Sequence, residues 1–487
     1  MQGIIIAGTH SGCGKTTVTL GVLAALRKKG LRVQQFKAGP DFIDSGLHRL
    51  VTGRPSRNLD LWMCGESYVK ESFRRNSLNA DISVAEGVMG LYDGTLSTAS
   101  LAAALGLPVI LVVDAYGLAE SAGALVKGFV EYAKGIPSLT PLLAKEGMGE
   151  VNSGITFAGV IFNRVASENH YKRLKASVVD IPVLGCLPRD LDFEIPHRHL
   201  GLTVAEENPI SDESLQRLSE AVLEHIDVDA LIRQGARGKG QEATNERHIA
   251  HRSSAVVSIA VAYDRAFCFY YEDNLDLLKN EGAEIVGFSP LSDSGIPEGV
   301  DAVYIGGGYP ELHAKELSQN RSMLSSIHDW ACGDKPLYAE CGGLMYLSQG
   351  IYDFEGSFFP MAGIYPFETR MKKGRSKLGY REICLDEDCL LGKKGEKLRG
   401  HEFHYSEIIP PHPPIPPLPR GGDRGVKSDR GGFSEVYSVK DGTGQRTGSE
   451  GYRFRNTLAS YIHIHFGSNP AIAGNFVRFA KEREWNI

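Results

Sequence analysis

GTHSGCGKTT, residues Gly8 to Thr17, decides the fold of the N-terminal half. It follows a short apolar run, Ile4-Ile5-Ile6-Ala7, and leads into a helix-like pattern from Val18 to Lys29. Strand, glycine-bearing loop and helix in that order are the context of a phosphate-binding loop. Backbone N–H groups of such a loop and of the helix N-terminus point at one anion site. Gly12, Gly14, Lys15, Thr16 and Thr17 are the candidate nucleotide contacts. Lys15 brings a mobile positive charge to the outer phosphates, and the Thr16 hydroxyl is placed to hold Mg²⁺. The loop is longer than the common form, with five residues rather than four between Gly8 and Gly14-Lys15.

Outward from this loop, apolar runs recur at Arg32–Phe36, Ile82–Ala85, Pro108–Asp114, Phe157–Phe162 and Pro182–Cys186. Helical patterns lie between them, for example Leu118–Lys134. Continuous apolar strands alternating with helices indicate a parallel sheet covered on both faces, a doubly wound α/β fold. Ligands of such sheets sit at the carboxyl ends of the strands. Two further segments fall there. KAGPDFID places Asp41 and Asp44 after the second strand, and AEGVMGLYDG places Glu86 and Asp93 after the third. Carboxylates beside bound phosphate repel it unless a divalent metal intervenes. Asp41 and Glu86 are therefore the expected Mg²⁺ ligands beside Thr16. A helix cap or a solvated loop acid is the competing reading for each of these acids.

Length and composition bound the rest. At 487 residues, two or three domains are expected. The net charge of −6 argues against a generic nucleic-acid surface. No apolar stretch is long enough to span a membrane, and the chain runs straight into a strand where a signal peptide would stand. Eight cysteines without paired metal spacing fit a reducing cytoplasm. Residues 1–230 form the expected N-terminal domain, and the polar, aperiodic Leu231–Ser254 reads as a linker. From 255 to 487 the alternation restarts, with strands at Val256–Val261, Glu284–Phe288, Asp301–Ile305 and Pro336–Ala339.

Two motifs stand out in this second domain. DAVYIGGGYPE ends a strand in Gly306-Gly307-Gly308, which lets backbone N–H groups approach a ligand as an oxyanion hole requires. KPLYAECGGLMYL runs a strand into Cys341, then Gly342-Gly343, then a helix. That is the shape of a nucleophile elbow, which lifts a thiol to a helix N-terminus and lowers its pKa, although Ala339 stands where the first glycine is usual. A thiol nucleophile needs a base. His463 and His465 in TLASYIHIHFGSNP share one face of a strand, and His404 in GHEFHYSEI is a weaker candidate. Any one of these histidines alone is more often structural; the cysteine elbow changes that weighting.

Eight segments in order, GTHSGCGKTT, FKAGPDFID, EGVMGLYDG, IPHRHLGL, YIGGGYPE, YAECGGLMYL, GHEFHYS and SYIHIHF, make nearly the whole chain resemble the cobyrinic acid a,c-diamide synthase family of corrinoid-pathway glutamine amidotransferases. The N-terminal domain also resembles dethiobiotin synthetase, which shares the longer loop. The second resembles class I glutamine amidotransferases, which implies a flavodoxin-like fold. The resemblance implies a two-site ligase. Cys341 would hydrolyse glutamine through a thioester with His463 as base, since Tyr461-Ile462-His463 fits the Tyr-x-His pattern of relatives. Backbone N–H groups near Gly308 and Gly342 would form the oxyanion hole. Triad relatives carry a glutamate two residues after the histidine; His465 stands there, so the third member is absent or comes from elsewhere. Released ammonia would reach the first domain, where ATP and Mg²⁺, handled by Lys15, Thr16, Asp41 and Glu86, activate corrin carboxylates as acyl phosphates. Asp44 and Asp93 fall on the substrate side, and Asn163 where relatives contact adenine. The implied partners are small molecules, namely a corrinoid carboxylate, glutamine and ATP, with a homodimer left open.

Pro410–Gly432, dense in proline, glycine and arginine, reads as a disordered insertion without catalytic groups. Three other readings use the same motifs. Hydrogenobyrinic acid or nickel sirohydrochlorin could replace the substrate. A cell-wall intermediate could do so too, although such enzymes usually split the domains between chains. A non-catalytic P-loop switch is the remaining rival, against which an intact Cys341 and glycine loop stand.

Overall fold

The computed structural model describes residues 2–135, 154–191, 193, 204–207, 209–236, 257–374, 377–410 and 432–482. The segment IPHRHLGL lies outside them, as do residues 411–431 of the proline-rich insertion and 237–254 of the expected linker. The chain divides into two compact units, Met1–Arg247 and His248–Ile487.

The first unit is built on seven parallel strands: β1 (Gly3–Gly8), β2 (Val33–Ala38), β3 (Arg57–Leu59), β4 (Ile82–Gly90), β5 (Val109–Asp114), β6 (Phe157–Val165) and β7 (Val183–Pro188). Their spatial order is β3-β2-β4-β1-β5-β6-β7. Ile4, Ile5 and Ile6 of β1 and Val109 to Val113 of β5 are all fully buried. Side chains on both faces of a central strand are covered only when helices pack on both sides, which is why these strands are apolar throughout. Most helices of the unit start on a side-chain cap. Asp41 accepts the Asp44 N–H, Asp60 the Met63 N–H and Ser97 the Ser100 N–H. The helix after the glycine loop, Lys15–Lys28, starts on Gly14 with no side-chain cap. Its first N–H groups are thereby left to face a ligand.

The expected linker begins too early at Leu231. Val228–Gly235 is a helix capped by Asp227, and Leu231 is fully buried in the first unit's core. Its apolar positions, Val228, Leu231 and Ile232, have helical spacing that the polar residues after them obscured.

In the second unit, β8 (Val257–Ala262), β9 (Ala283–Phe288), β10 (Ala302–Ile305), β11 (Leu337–Glu340) and the strand Thr457–Ser460 run parallel in the order β9-β8-β10-β11-Thr457–Ser460. That is the flavodoxin-like 2-1-3-4-5 arrangement. The same sheet continues antiparallel through Arg446–Phe454, Ser434–Asp441, Lys377–Leu385 and Lys397–His404 to Ile462–Ile464. A single residue, Tyr461, separates Thr457–Ser460, the strand from which this extension starts, from Ile462–Ile464, the strand on which it ends. The extension therefore has to roll round on itself, so that Lys397–His404 and Ile462–Ile464 return to the carboxyl end of β11. Four short strands, Gly350–Tyr352, Phe358–Pro360, Glu368–Met371 and Ser406–Ile409, form a separate small sheet.

Among the described residues no helix is long and apolar enough to cross a membrane.

Candidate active sites

In the first unit, Gly14 has φ 90° and Gly12 φ 81°, the left-handed region that favours glycine. A Cβ on Gly14 would lie 1.9 Å from Nδ2 of Asn163, whose amide donates to the Cys13 carbonyl at 3.1 Å. Asn163, at the end of β6, thus buttresses the loop from behind. A Cβ on Gly8 would lie 2.3 Å from Sγ of the fully buried Cys13. The longer loop tucks its extra residue inward at this point. Lys15 is buried, and its Nζ donates to the His10 carbonyl at 3.3 Å.

Behind the loop, the ends of β2 and β4 bring charges together. Glu86 is fully buried. Its Oε1 accepts from the Thr16 hydroxyl at 2.8 Å and from Lys37 Nζ at 3.0 Å, and its Oε2 lies 2.7 Å from His48 Nε2. Lys37 also donates to Asp44 Oδ2 at 2.5 Å and to the Gly87 carbonyl at 3.2 Å. Burial alone would raise the Glu86 carboxyl, but the Lys37 ammonium and the hydrogen bonds from His48 and Thr16 hold it well below the usual carboxylate range. Burial alone would lower Lys37, but Asp44, Glu86 and Asp41 outweigh that and hold it above its ordinary value. Burial and the neighbouring Asp41 charge push Asp44 well up. Lys37 and His48 were missed in the sequence. The signal for Lys37 was a lysine at the end of an otherwise buried strand, where only a paired charge is tolerated.

The two aspartates have different partners. Asp44 Oδ1 lies 3.5 Å from the Thr16 hydroxyl. Asp41 spends Oδ1 on capping its helix and keeps Oδ2 3.9 Å from Lys37. Asp44, with Thr16 and Glu86, therefore lines the loop side. Asp93 is exposed, and its Oδ2 accepts the Gly90 N–H at 2.8 Å, which pins the β4 turn next to Thr9.

The test for Mg²⁺ is the donor set. Thr16, Asp44 and Glu86 present only oxygens, the preference of a hard cation that keeps several ligands from water and phosphate. No group of three or more His, Cys, Asp or Glu among the described residues makes a complete site by itself. A site finished by phosphate oxygens fits that composition.

In the second unit Cys341 precedes the short helix Gly342–Leu347 with φ 47° and ψ −100°. Such backbone costs about 1–3 kcal/mol and persists where the surroundings hold it. Here the Cys341 N–H is fixed on the Ser460 carbonyl at 2.7 Å, and Sγ lies 3.6 Å from the Phe403 carbonyl. Each glycine of the facing loop has a steric reason. A Cβ would meet the Tyr270 ring at 2.5 Å from Gly306, His463 Cε1 at 2.3 Å from Gly307 and the Ala266 carbonyl at 2.0 Å from Gly308. The position of a Gly342 Cβ lies 3.1 Å from the Gly308 nitrogen. The loop is thus bracketed by the cysteine turn on one side and His463 on the other.

The thiol differs from expectation. Burial, with Glu311 nearby, pushes Cys341 up, against the lowering effect of the Gly342 N–H. A helix this short, in a buried turn, does not compensate for lost hydration. Burial, with His401 and His404 nearby, pushes His463 well below its ordinary value. Both shifts favour the uncharged forms, a thiol beside an imidazole able to accept a proton. His463 stacks on His401 across the paired strands at 5.0 Å, and His401 Nδ1 lies 2.6 Å from the Tyr271 hydroxyl. His465 is turned to structural work. Its Nδ1 accepts the Gly467 N–H at 3.0 Å, and its ring packs 4.6 Å from that of Tyr271. His404 is clamped between Glu402 at 2.7 Å and the stacked Tyr461 ring at 3.7 Å.

One unit presents a nucleotide cradle with a buried acid–lysine cluster, the other a strained cysteine with a glycine loop and a neutral histidine. Together they define a ligase carrying a glutamine amidotransferase domain. Residues 4–202 match the CobQ/CobB/MinD/ParA nucleotide binding domain and residues 258–471 the CobB/CobQ-like glutamine amidotransferase domain. The cobyrinate a,c-diamide synthase of Caldanaerobacter subterraneus subsp. tengcongensis is 41% identical over 95% of this chain and 94% of its own. That of Syntrophotalea carbinolica is 40% identical over 98% of each chain, and that of Listeria innocua 40% identical over 97% of this chain and 98% of its own. The chain belongs to the cobyrinate a,c-diamide synthase family. It is an enzyme, so the switch reading is set aside, and the nucleotide-binding domain implies ATP use.

Proposed function

We propose that the protein converts the a and c carboxylates of cobyrinic acid to amides, with ATP and Mg²⁺ in the first unit and ammonia released from glutamine in the second. The observation that carries this reading is likeness to synthases of that name over nearly the full chain. The local chemistry supports it. A carboxylate does not react with ammonia at neutral pH, whereas an acyl phosphate offers phosphate as leaving group.

Lys15 and the uncapped N–H groups behind Gly14 would bind the outer phosphates. Asn163, already against the loop, remains the proposed adenine contact. Thr16, Glu86 and Asp44 would hold Mg²⁺, which when bound neutralises phosphate charge. Lys37 would steady the two carboxylates and face the transferring phosphoryl group. Asp93, exposed beside the loop, would position the corrinoid. At the second site His463 would take the Cys341 proton, the thiolate would attack the glutamine amide, and the Gly308 and Gly342 N–H groups would receive the oxyanion.

Incubation with MgATP, glutamine and a panel of macrocyclic carboxylic acids, read by mass, tests the substrate. Cobyrinic acid should gain two amides in place of two acids. Exclusive turnover of hydrogenobyrinic acid or nickel sirohydrochlorin would overturn this choice.

The two aspartates give a separate expectation. Asp44→Asn should lower ATP-dependent turnover by roughly a hundredfold, the scale for one charge at a phosphoryl-transfer site, and raise the Mg²⁺ needed for half-maximal rate. Asp41→Asn, which still caps the helix, should cost only a few-fold. A titration of rate against MgCl₂ for both variants decides, and the reverse ranking would return the metal to Asp41.

A further inference from the structure

Glu340 is the last residue of β11 and stands immediately before Cys341. Its side chain is 1% exposed. Burying a carboxylate costs several kcal/mol unless hydrogen bonds and a charge partner offset it. Three donors on three strands hold it. Oε1 accepts the Ile464 N–H at 2.9 Å and the Tyr338 hydroxyl at 2.8 Å, and Oε2 accepts the Tyr304 hydroxyl at 2.8 Å. Oε2 also lies 3.8 Å from Nδ1 of His463, the residue next to Ile464.

An acid is needed at that place. When Sγ of Cys341 gives its proton to His463, the imidazolium forms in a buried site beside His401 and His404, both of which disfavour it. Triad relatives would supply the compensating carboxylate two residues after the histidine. That position is His465, committed through Nδ1 to the Gly467 N–H. Glu340 reaches the same imidazole from the neighbouring strand instead.

We propose that Glu340 is the positioning carboxylate of the glutaminase site. It fixes the strand that carries His463 through the Ile464 N–H and presents Oε2 to the Nδ1–H of the imidazolium. The proton passes from Sγ to Nε2, Nδ1–H is retained, and no proton is transferred to Glu340. The 3.8 Å separation is that of a substrate-free site, where such bonds are commonly long and tighten on binding. Burial pushes the Glu340 carboxyl up to about 7, against the hydrogen bonds from Ile464, Tyr338 and Tyr304. It is therefore ionised on the alkaline side of neutrality. The inference rests on the proposed roles of Cys341 and His463.

The test is a double-mutant cycle on the full chain. Glu340→Gln keeps the acceptor for Ile464 and removes the charge. It should lower kcat for glutamine hydrolysis by roughly a hundredfold, within the range for a positioned acid–base group. KM for glutamine, the ammonia-dependent reaction and the melting temperature should stay near wild type, and alkylation of Cys341 by iodoacetamide should slow. In a His463→Ala background the same change should cost nothing further. An undiminished cost in that background, or an equal fall in the ammonia-dependent rate, would make Glu340 merely structural. If His463→Ala itself keeps the wild-type rate, the assignment of the base falls and this inference with it. Should Glu340→Gln not fold, Glu340→Asp, which withdraws the charge by one methylene, should show the same kcat loss in the wild-type background only.

Discussion

Cys341→Ser is expected to abolish glutamine-dependent amidation, by on the order of 10³-fold or more, and to leave amidation from high ammonium close to wild type. The thiol sits on the strained turn after β11 with its N–H fixed on Ser460. A serine hydroxyl fits there but is a far weaker nucleophile beside a neutral imidazole. Cys341 is assigned to glutamine hydrolysis alone, and the phosphate loop belongs to the other unit, so the ATP-dependent step should not respond. His463→Ala should show the same split. His465→Ala should be milder, because its Nδ1 caps the turn at Gly467. Rates with glutamine and with ammonium chloride, side by side on folded protein, check this. Loss of both in Cys341→Ser would refute a two-site mechanism, and greater damage from His465→Ala would move the base.

Lys15→Ala and Glu86→Gln should cripple both reactions, by roughly 10²–10³-fold, because each acts before ammonia is used. The two should differ in stability. Lys15 donates to one loop carbonyl, and its removal leaves no buried charge behind. Glu86 is fully buried against Lys37, His48 and Thr16. Taking its charge leaves the Lys37 ammonium short of a partner, a change worth about 3–5 kcal/mol for a buried pair. Thermal melts beside ammonia-dependent turnover separate the effects. Near-normal turnover in Glu86→Gln would remove Glu86 from the metal site.

Much of this was legible because it is local. A phosphate loop is a contiguous strand, glycine turn and helix, and a cysteine elbow is another, so GTHSGCGKTT and YAECGGLMYL carry their geometry within a few residues. The parallel strands were legible for the same reason. Burial on both faces makes each one a continuous apolar run, and the ends observed differ from those expected by a few residues. The rolled antiparallel extension was less visible. Its strands, such as Lys377–Leu385 and Arg446–Phe454, carry exposed polar residues and pair with partners far away in the chain.

The sequence by itself determined two α/β units, the phosphate loop with Lys15 and Thr16, the cysteine with its glycine loop, and a short choice of histidines. Only the tertiary structure decided which carboxylate faces which partner. Asp41 and Asp44 are one helical turn apart and chemically identical, and a helix cap at the first turned the second toward Thr16 and Lys37. Lys37, His48 and Glu86 meet only because β2 and β4 are neighbours in the sheet. Glu340 reads as one more charge in a strand until the sheet rolls Ile462–Ile464 back onto β11 and sets His463 beside it. The physical reason is that charge pairing acts over a few ångströms of space. Residues dozens of positions apart become partners only when backbone pairing has put their strands side by side.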